Sequence, residues 1–364
     1  MAEVTTKASG ARRDRAILVT GAGGELGHGL LRSLSGQVDE HGEAPCVVAI
    51  DIRELPAEQK SLCDDSFSGD VCDEGLLSRL LASYEICEIY HLAALLSTRA
   101  EFAPETAHSV NVGGTINLLK LAAEAATSHG RCVKFFFPSS IAAYGLADLE
   151  TKSAAGAVTE HQHCTPHTMY GCNKLSGENL GRYYAGHYRK LAKDRIRNPI
   201  DFRSIRFPGI ISAETVPSGG TSDYGPEMIH AAVKGEPYAC FVRPDTRIPF
   251  MTMPEAVDSI SRLMAAPAEA LGTSVYNVRS FSPSAEEFMQ LLQLHVPGSG
   301  EHIEFDPDHA RQSIVDSWPE DVDDSAARND WGWEPAHDLH SAFEEYFMPV
   351  IKTMYGKHDV QENR

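Results

Sequence analysis

The sequence predicts an α/β fold in which a doubly wound parallel sheet carries a smaller C-terminal lobe. In the first 207 residues, short apolar runs rich in β-branched residues alternate with segments of helical length. A glycine-rich turn directly follows the first of these runs. Beyond residue 207 the segments become short and rich in proline and glycine, which favours a separate lobe laid over one edge of the sheet.

The predicted elements follow in order along the chain. Short apolar stretches indicate strands at 16–20 (AILVT), 46–51 (CVVAID), 88–92, 133–138 (VKFFFP) and 202–207. Patterns of helical length indicate helices at about 25–35, 105–128 and 170–189, with a further short helix before residue 88. Strands that alternate with helices of this length predict βαβ units and therefore a parallel sheet.

Composition and charge argue against several classes of function. The chain has 364 residues, of which 42% are apolar and 23% charged, and its formal net charge of −19 would repel a nucleic-acid backbone. No run approaches the ~18 uninterrupted apolar residues of a membrane span. We therefore expect neither nucleic acid nor a membrane as a partner.

The eight cysteines indicate a reducing compartment. None forms a Cys-x-x-Cys pair, so we expect free thiols and a cytoplasmic location. Residues 1–14 are polar and lack the apolar run of a secretory signal, and we expect a flexible tail there. Organellar targeting remains an alternative because of the basic residues Arg12, Arg13 and Arg15, and in a eukaryote it would place the protein in the mitochondrial matrix. The acidic residues Glu3 and Asp14 count against such a targeting segment.

The glycine-rich turn GAGGELG, residues 21–27, predicts a dinucleotide site. Glycine permits a tight turn and lets the backbone approach a pyrophosphate, to which the following helix offers free N–H groups. Asp51 ends the second strand about 20 residues further on, where a carboxylate accepts hydrogen bonds from the ribose and repels a 2′-phosphate. NAD is therefore favoured over NADP. Arg53 is a candidate ligand for a 2′-phosphate, so NADP remains the alternative. Asp70 and Val71 are candidates for the adenine side.

These features divide the chain into four parts. We expect a tail at 1–14, an NAD-binding Rossmann-type domain at 15–206, a mainly substrate-binding lobe at 207–354 and a second tail at 355–364. Some segments of the lobe are expected to return to the sheet. The substrate is then expected in the crevice at the carboxyl ends of the strands.

Tyr170 and Lys174 form the candidate catalytic pair. They lie four residues apart at the start of a predicted helix and so share one of its faces. An ammonium near a phenol is expected to lower the pKa of Tyr170, which then accepts a proton from an alcohol as hydride leaves its carbon. Ser140, at the end of the strand 133–138, is expected to hydrogen-bond the same oxygen, with Ser139 as its competitor.

Several motifs together resemble the extended short-chain dehydrogenase/reductase superfamily. The second half is more specific and resembles the short-chain type of L-threonine 3-dehydrogenase, through the stretches at 206–212, 217–225, 245–253 and 316–333. Residues 146–163 and 190–198 look like insertions outside the motifs. The superfamily motifs are GAGGELG, AIDIR, GDV, YHLAALLS, NVGGT, PSSIAAYG and YGCNK.

The resemblance implies a set of roles. Tyr170 is implied as the acid/base, Lys174 as its partner and a ribose ligand, and Ser140 as the hydroxyl that orients the substrate. It also implies a homodimer that pairs through the helices beginning near Glu105 and Tyr170. The implied NAD-binding residues are Gly21, Ala22, Gly23, Gly24, Glu25, Leu26, Gly27, Asp51, Ile52, Arg53, Asp70, Val71, Leu92, Ala93, Ala94, Tyr170, Lys174 and Ile210.

The implied substrate is L-threonine, oxidised at its Cβ hydroxyl to L-2-amino-3-oxobutanoate. We expect a hydrogen-bonding pocket for it, with Asp223 either pairing with the ammonium or capping a helix that follows Pro226. The expected substrate-binding residues are Ser97, Ser140, Tyr170, Thr221, Ser222 and Asp223.

Two other functions remain open. A nucleotide-sugar epimerase or dehydratase would need basic residues in the second lobe, for which Arg243 and Arg247 are the clustered candidates. A non-catalytic dinucleotide sensor would have no use for Ser140, Tyr170 and Lys174.

Some side chains that could suggest a further site are expected to have other roles. We expect no metal site, because hydride transfer needs none and the suggestive ligands lie in an apparent insertion. Asn111 is expected to tie down the end of a helix or strand. The tryptophans Trp318, Trp331 and Trp333 are expected to pack in the core. The metal-like cluster comprises His161, His163, Cys164 and His167.

Overall fold

The computed structural model describes residues 13–36, 44–217 and 219–356. Within them the strands are β1 (Asp14–Thr20), β2 (Cys46–Asp51), β3 (Asp65–Ser68), β4 (Tyr84–His91), β5 (Val133–Ser140), β6 (Ala157–Val158), β7 (Ile200–Phe207), β8 (Gly209–Ile211), β9 (Tyr238–Cys240), β10 (Phe250–Thr252), β11 (Val275–Asn277), β12 (Ile303–Phe305) and β13 (Asp321–Val322). Seven of them form the central sheet in the order β11-β7-β5-β4-β1-β2-β3, and every neighbouring pair in it is parallel.

The helices connect these strands. They are α1 (Glu25–Leu34), α2 (Ala57–Lys60), α3 (Glu74–Ser83), α4 (Ser97–Phe102), α5 (Pro104–His108), α6 (Gly114–His129), α7 (Leu149–Ala155), α8 (Met169–Gly186), α9 (Tyr224–Lys234), α10 (Met253–Ala265), α11 (Ala285–His295), α12 (His309–Asp316), α13 (Ser325–Trp331), α14 (Leu339–Ser341) and α15 (Met348–Gly356). None of the helices in the described ranges is long and apolar enough to cross a membrane.

The sheet is covered on both faces, because successive side chains of a strand point to opposite sides. On β1, Leu18 belongs to a core formed with α3 and α6, whereas Ile17 and Val19 belong to a core formed with α1 and α10. The predicted doubly wound parallel sheet is confirmed.

A third core lies among the C-terminal segments. It includes Tyr224, Phe250, Phe288 and Phe343, all fully buried. Three short parallel pairs flank it: β8 with β10, β9 with β12, and β6 with β13. The strand β11 returns to the central sheet beside β7. Of the tryptophans, Trp318 and Trp333 are buried and Trp331 is partly buried, as expected for core residues.

The predicted long helix at 105–128 is interrupted. Residues 109–113 form a π-helical turn between α5 and α6. Asn111 lies in this turn with its side chain bonded to another loop, and the Thr115 hydroxyl bonds the carbonyl of Asn111. A widened turn inside a helix often marks a functional position, and this one faces the loop after β4.

Several boundaries differ from the sequence expectation. The strand β4 begins at Tyr84, and β1 includes Asp14, which we had placed in the tail. The last helix extends to Gly356, and its Tyr355 hydroxyl hydrogen-bonds His230 at 2.8 Å. The rest of the expected tails, residues 1–12 and 357–364, lies outside the described residues.

The stretch at 146–163 is part of the packed structure. It contains α7, and its β6 pairs with β13 near the C-terminus. Lys152 is buried in it and donates to the carbonyl of Val315 at 3.1 Å. Burial lowers the pKa of this lysine to about 8.

Candidate active site

The turn between β1 and α1 is shaped by backbone contacts that exclude side chains. Gly21 has a φ of +69°, and a Cβ on it would lie 2.6 Å from the backbone nitrogen of Ala93. A Cβ on Gly27 would lie 2.5 Å from the carbonyl oxygen of Gly21. Only glycine allows the chain to pass so close to the loop after β4. The turn therefore presses the start of α1 against that loop.

The N-terminus of α1 lies where the sequence predicts a site for an anion. Gly24 precedes the helix and has no side chain to cap it, so N–H groups of the first turn are available to an anionic ligand. The Ala22 N–H is bonded to the carbonyl of Ile50 at 3.2 Å. The Glu25 carboxylate accepts a bond of 2.6 Å from Thr215, and Leu26 packs against the core under α1.

Asp51 is held at the end of β2 by two backbone N–H groups. Its Oδ2 accepts from Gly23 at 2.9 Å and its Oδ1 from Arg53 at 3.0 Å. The carboxylate is therefore tied to the glycine turn, where the sequence predicts a ribose. The neighbouring Ile52 side chain is 71% exposed, and Arg53 is also exposed.

Asp70 and Val71 lie in the turn after β3. The Asp70 Oδ1 accepts from the Cys72 N–H at 2.9 Å, and the Val71 side chain is buried. The Val71 carbonyl accepts from Asn117 on α6 at 3.3 Å. Because β3 pairs with β2, Asp70 and Val71 follow the strand next to the one that ends in Asp51.

The loop after β4 contains Leu92, Ala93 and Ala94. Leu92 donates to the carbonyl of Thr20 at 3.0 Å. Asn111 bonds both the N–H and the carbonyl of Leu95, at 2.7 and 3.0 Å, so this side chain ties the loop to the π-helical turn. Asn111 was expected to hold the end of a helix or strand, and it holds the loop that follows strand β4.

His91 is a buried residue that the sequence analysis did not single out. Its Nδ1 lies 2.9 Å from Thr20 Oγ1 and its Nε2 lies 3.0 Å from Thr115 Oγ1. Burial, and then the charge of Lys174, lower the pKa of His91 to about 3, so the ring is neutral. The sequence signal that could have identified His91 is its position directly before Leu92, which the resemblance assigns to NAD binding.

Tyr170 and Lys174 share the inner face of α8, as their spacing predicts. Lys174 is 4% exposed, its Nζ donates to the carbonyl of Pro138 at 2.6 Å, and the same atom lies 5.2 Å from the centre of the Tyr170 ring. Thr168 caps this helix through the Gly171 N–H at 3.0 Å.

The expectation for the pKa of Tyr170 is wrong for the ligand-free protein. Burial raises the pKa of Tyr170 above its ordinary value, because the protein displaces the water that would solvate a phenolate. Burial also lowers the pKa of Lys174 to about 7, with Glu178 opposing the shift. Desolvation therefore outweighs the attraction between the two groups here.

The structure separates the two candidate serines. Ser140 is partly exposed, and its hydroxyl oxygen accepts from the Ala142 N–H at 3.1 Å. Ser139 is buried, and its hydroxyl donates to Glu178 at 2.6 Å. Ser139 is therefore committed to a structural contact, which leaves Ser140 as the hydroxyl at the end of β5. The sequence analysis missed Glu178, which lies one helical turn after Lys174.

Two of the predicted substrate residues meet directly. Thr221 donates to the Ser97 hydroxyl oxygen at 3.0 Å, and the neighbouring Thr98 donates to the carbonyl of Gly219 at 3.1 Å. Residues 219–223 are thereby attached to the start of α4. Ser222 is partly buried within this segment.

Asp223 does not cap a helix as we had considered. The helix α9 begins at Tyr224 rather than after Pro226, and the Asp223 side chain makes no capping bond to it. Its Oδ2 accepts instead from the Gly220 N–H at 2.6 Å. The carboxylate therefore closes the loop on itself. Ile210 lies in β8 opposite Met251.

Three of the side chains considered for other functions have partners within the chain. Cys164 Sγ lies 3.6 Å from Arg206 Nη2. Arg243 pairs with Asp316 and Arg247 with Glu287. Across the described ranges, no three His, Cys, Asp or Glu side chains come together as metal ligands.

Comparisons with known proteins identify the family and agree with the fold. Residues 17–278 match the profile of the NAD dependent epimerase/dehydratase family. The mitochondrial L-threonine 3-dehydrogenase of Bos taurus is 35% identical over 323 residues, which are 89% of this chain and 79% of that one. A solved L-threonine 3-dehydrogenase from Trypanosoma brucei is 32% identical with a TM-score of 0.79, over 93% of this chain and 98% of that one. A monomeric L-threonine 3-dehydrogenase from a metagenome is 36% identical with a TM-score of 0.78, over 93% and 99%.

Proposed function

The chain belongs to the NAD-dependent epimerase/dehydratase family, and from that premise we propose that it oxidises the Cβ hydroxyl of L-threonine to L-2-amino-3-oxobutanoate. One observation carries the proposal. Lys174, held at 2.6 Å on the carbonyl of Pro138, faces the ring of Tyr170 beside the strand end that bears Ser140. This arrangement suits acid/base catalysis on a secondary alcohol. We infer the identity of that alcohol, L-threonine, from the names of the relatives.

The residues of the chain divide the chemistry between them. Tyr170 accepts the proton of the Cβ hydroxyl, Ser140 donates a hydrogen bond to the same oxygen, and the Lys174 ammonium stabilises the phenolate that Tyr170 needs. NAD, when bound, accepts the hydride that leaves Cβ. Since burial raises the pKa of Tyr170 in the free protein, the phenolate must form within the loaded site, where Lys174 is the adjacent cation.

The glycine turn and Asp51 fit an adenine dinucleotide. Side chains are excluded at Gly21 and Gly27, and the uncapped start of α1 suits a pyrophosphate. Asp51, fixed by the Gly23 and Arg53 N–H groups, presents a carboxylate to the ribose. We therefore propose NAD rather than NADP.

The preference for NAD is measurable. We expect kcat/KM with NAD to exceed that with NADP by roughly 100-fold or more, because a 2′-phosphate beside the partly buried Asp51 carboxylate meets a like charge. Initial rates with both cofactors check this. Equal efficiencies would instead identify Arg53 as a phosphate ligand.

The substrate pocket is proposed around the bonded pair of Ser97 and Thr221. Their hydroxyls, with Ser222 and the N–H groups of residues 219–223, suit a carboxylate, and Asp223 suits an ammonium. A site built on such hydrogen bonds rejects analogues that leave its polar groups unpaired. Simple secondary alcohols should therefore be very poor substrates.

The assembly is proposed to be a homodimer in the cytoplasm. Phe102 on α4 is 86% exposed and Tyr183 on α8 is 44% exposed, next to the helices that the resemblance assigns to pairing. All eight cysteines are free thiols, which suits a reducing compartment. Light scattering of the wild type and of Phe102→Glu tests the pairing: we expect a dimer that the substitution weakens.

The function is tested by NADH formation at 340 nm with a panel of amino acids and UDP-sugars. We expect L-threonine to be oxidised well, L-allo-threonine poorly and L-serine weakly. Turnover of UDP-glucose or UDP-galactose without turnover of L-threonine would replace this function with an epimerase. The pairing of Arg243 and Arg247 with carboxylates of the chain weighs against that outcome.

A further inference from the structure

A buried ion pair joins the helix of Tyr170 to strand β7. Glu178 on α8 is 0% exposed and Arg206 on β7 is 1% exposed. The Arg206 Nε and Nη2 each donate to a different Glu178 oxygen at 2.7 Å. Buried ion pairs contribute little to stability on average, because desolvation offsets the attraction. The position of this pair is therefore more informative than its strength.

Glu178 is linked to the catalytic region through the end of β5 and through its place on α8. Its Oε1 accepts from the Ser139 hydroxyl at 2.6 Å. Ser139 lies between Pro138, whose carbonyl accepts from Lys174, and Ser140. Glu178 also lies one helical turn after Lys174, on the same face of α8. One carboxylate thus contacts the strand end and acts on the Lys174 ammonium through its charge.

We propose that Glu178 is a positioning residue for Tyr170, Lys174 and Ser140. Its carboxylate fixes the end of β5 through Ser139, and its charge favours the ammonium form of Lys174 within the buried site. The role in turnover rests on the proposed alcohol oxidation. The effect on Lys174 does not, and it is measurable in the free protein.

The charges around Lys174 support this role. From β4, His91 faces it and is neutral, and from β7, Arg206 is neutralised by Glu178. On α8 itself, Tyr170 is protonated because burial raises its pKa. Glu178 is the group that raises the pKa of Lys174 against burial. Among the other titratable groups on α8 or on elements packed against it, Glu101 accepts from the Met169 N–H and His108 lies 3.1 Å from Asn173. Arg182 is a second cation beside Glu178, with its Nη2 at 3.8 Å from Oε2.

The chain offers a matched control on the same strand. Arg203 is as buried as Arg206, and it pairs with Asp201 through its Nε at 3.0 Å. Its Nη1 donates to the carbonyls of Leu263 and Ala266, at the end of α10. Asp201→Asn therefore removes the carboxylate, 19% exposed, from an arginine pair that has no recorded contact with the catalytic residues.

The first test titrates Lys174 in the ligand-free protein, by the ¹³C shift of its Cε atom, assigned with Lys174→Arg. We expect Glu178→Gln to lower the pKa of Lys174 by roughly one unit, because the opposing charge is lost. In Glu178→Asp, which keeps the charge, the pKa of Lys174 should stay near its wild-type value. The same result is expected for Asp201→Asn. An unchanged pKa in folded Glu178→Gln would overturn the electrostatic part of the proposal.

The second test removes only the bond to the strand end. Ser139→Ala keeps the ion pair and should lower kcat with L-threonine roughly 3- to 10-fold, the net contribution of an ordinary hydrogen bond. The dissociation constant for NAD should stay unchanged. Unchanged kcat would overturn the positioning role. If Glu178→Gln does not fold, the separate variants Ser139→Ala and Glu178→Asp decide the matter. A wild type that is inactive on L-threonine refutes the proposed function instead, and the Lys174 titration still tests Glu178.

Discussion

The two halves of the proposed catalytic crevice are built in different ways. On the cofactor half, seven consecutive residues form the turn, and backbone contacts such as that between Gly21 and Ala93 decide its shape. On the substrate half, Ser97 and Thr221 are 124 residues apart and meet through their side chains. A short motif can encode the first half, whereas the second depends on the fold of both lobes. Substitutions in the two halves should therefore affect different constants.

Tyr170→Phe should have the largest effect on turnover. It removes the acid/base group and leaves the ring in place, so kcat should fall roughly 10²–10⁴-fold while NAD affinity stays the same. Steady-state rates and NAD titration measure the two quantities. Retention of near wild-type kcat would show that another group accepts the proton.

Gly21→Ala should break the cofactor half. An L-residue at this φ costs about 1–2 kcal/mol, and the added Cβ would meet the Ala93 nitrogen at 2.6 Å. We expect NAD affinity to fall roughly tenfold or more as the turn moves away from Ala93. Calorimetric titration of NAD measures this loss.

Gly36→Ala is the matched control for that change. Gly36 also has a positive φ, of +78°, but a Cβ on it would meet no atom of the described residues within 4 Å. It should lower the free energy of unfolding and leave NAD affinity unchanged. Equal loss of affinity in both variants would show that backbone strain, rather than the contact with Ala93, controls the site.

Thr221→Val should affect the substrate half alone. It removes the hydroxyl that bonds Ser97, and losing about 1 kcal/mol of hydrogen bonding should raise KM for L-threonine roughly 5-fold. The affinity for NAD should not change. Thr127→Val, which removes a hydroxyl bonded within α6, serves as the control. A weaker NAD complex in Thr221→Val would mean that the halves are coupled.

Chelation should have the smallest effect. Cys164 lies against Arg206, and metal is not needed for the proposed hydride transfer. Dialysis against a chelator should therefore leave kcat unchanged. A loss of activity that zinc restores would contradict this and would point to the histidines near Cys164.

The same contrast explains what the sequence could predict. Apolar runs and the glycine turn predicted the parallel sheet, because strand burial and tight turns are local properties. The choice between Ser139 and Ser140 was not local, since it depended on Glu178, which lies 39 residues after Ser139. The pKa of Tyr170 was predicted in the wrong direction, because a spacing of four residues shows proximity to Lys174 but not burial. The roles of the site residues remain predictions.

The most direct measurement follows the hydride itself. L-threonine carrying deuterium at Cβ is incubated with NAD, and the NADH formed is analysed by mass spectrometry. We expect one deuterium in each NADH, formed in step with L-2-amino-3-oxobutanoate. NADH without deuterium, or no net NADH from L-threonine, would contradict oxidation at the Cβ hydroxyl.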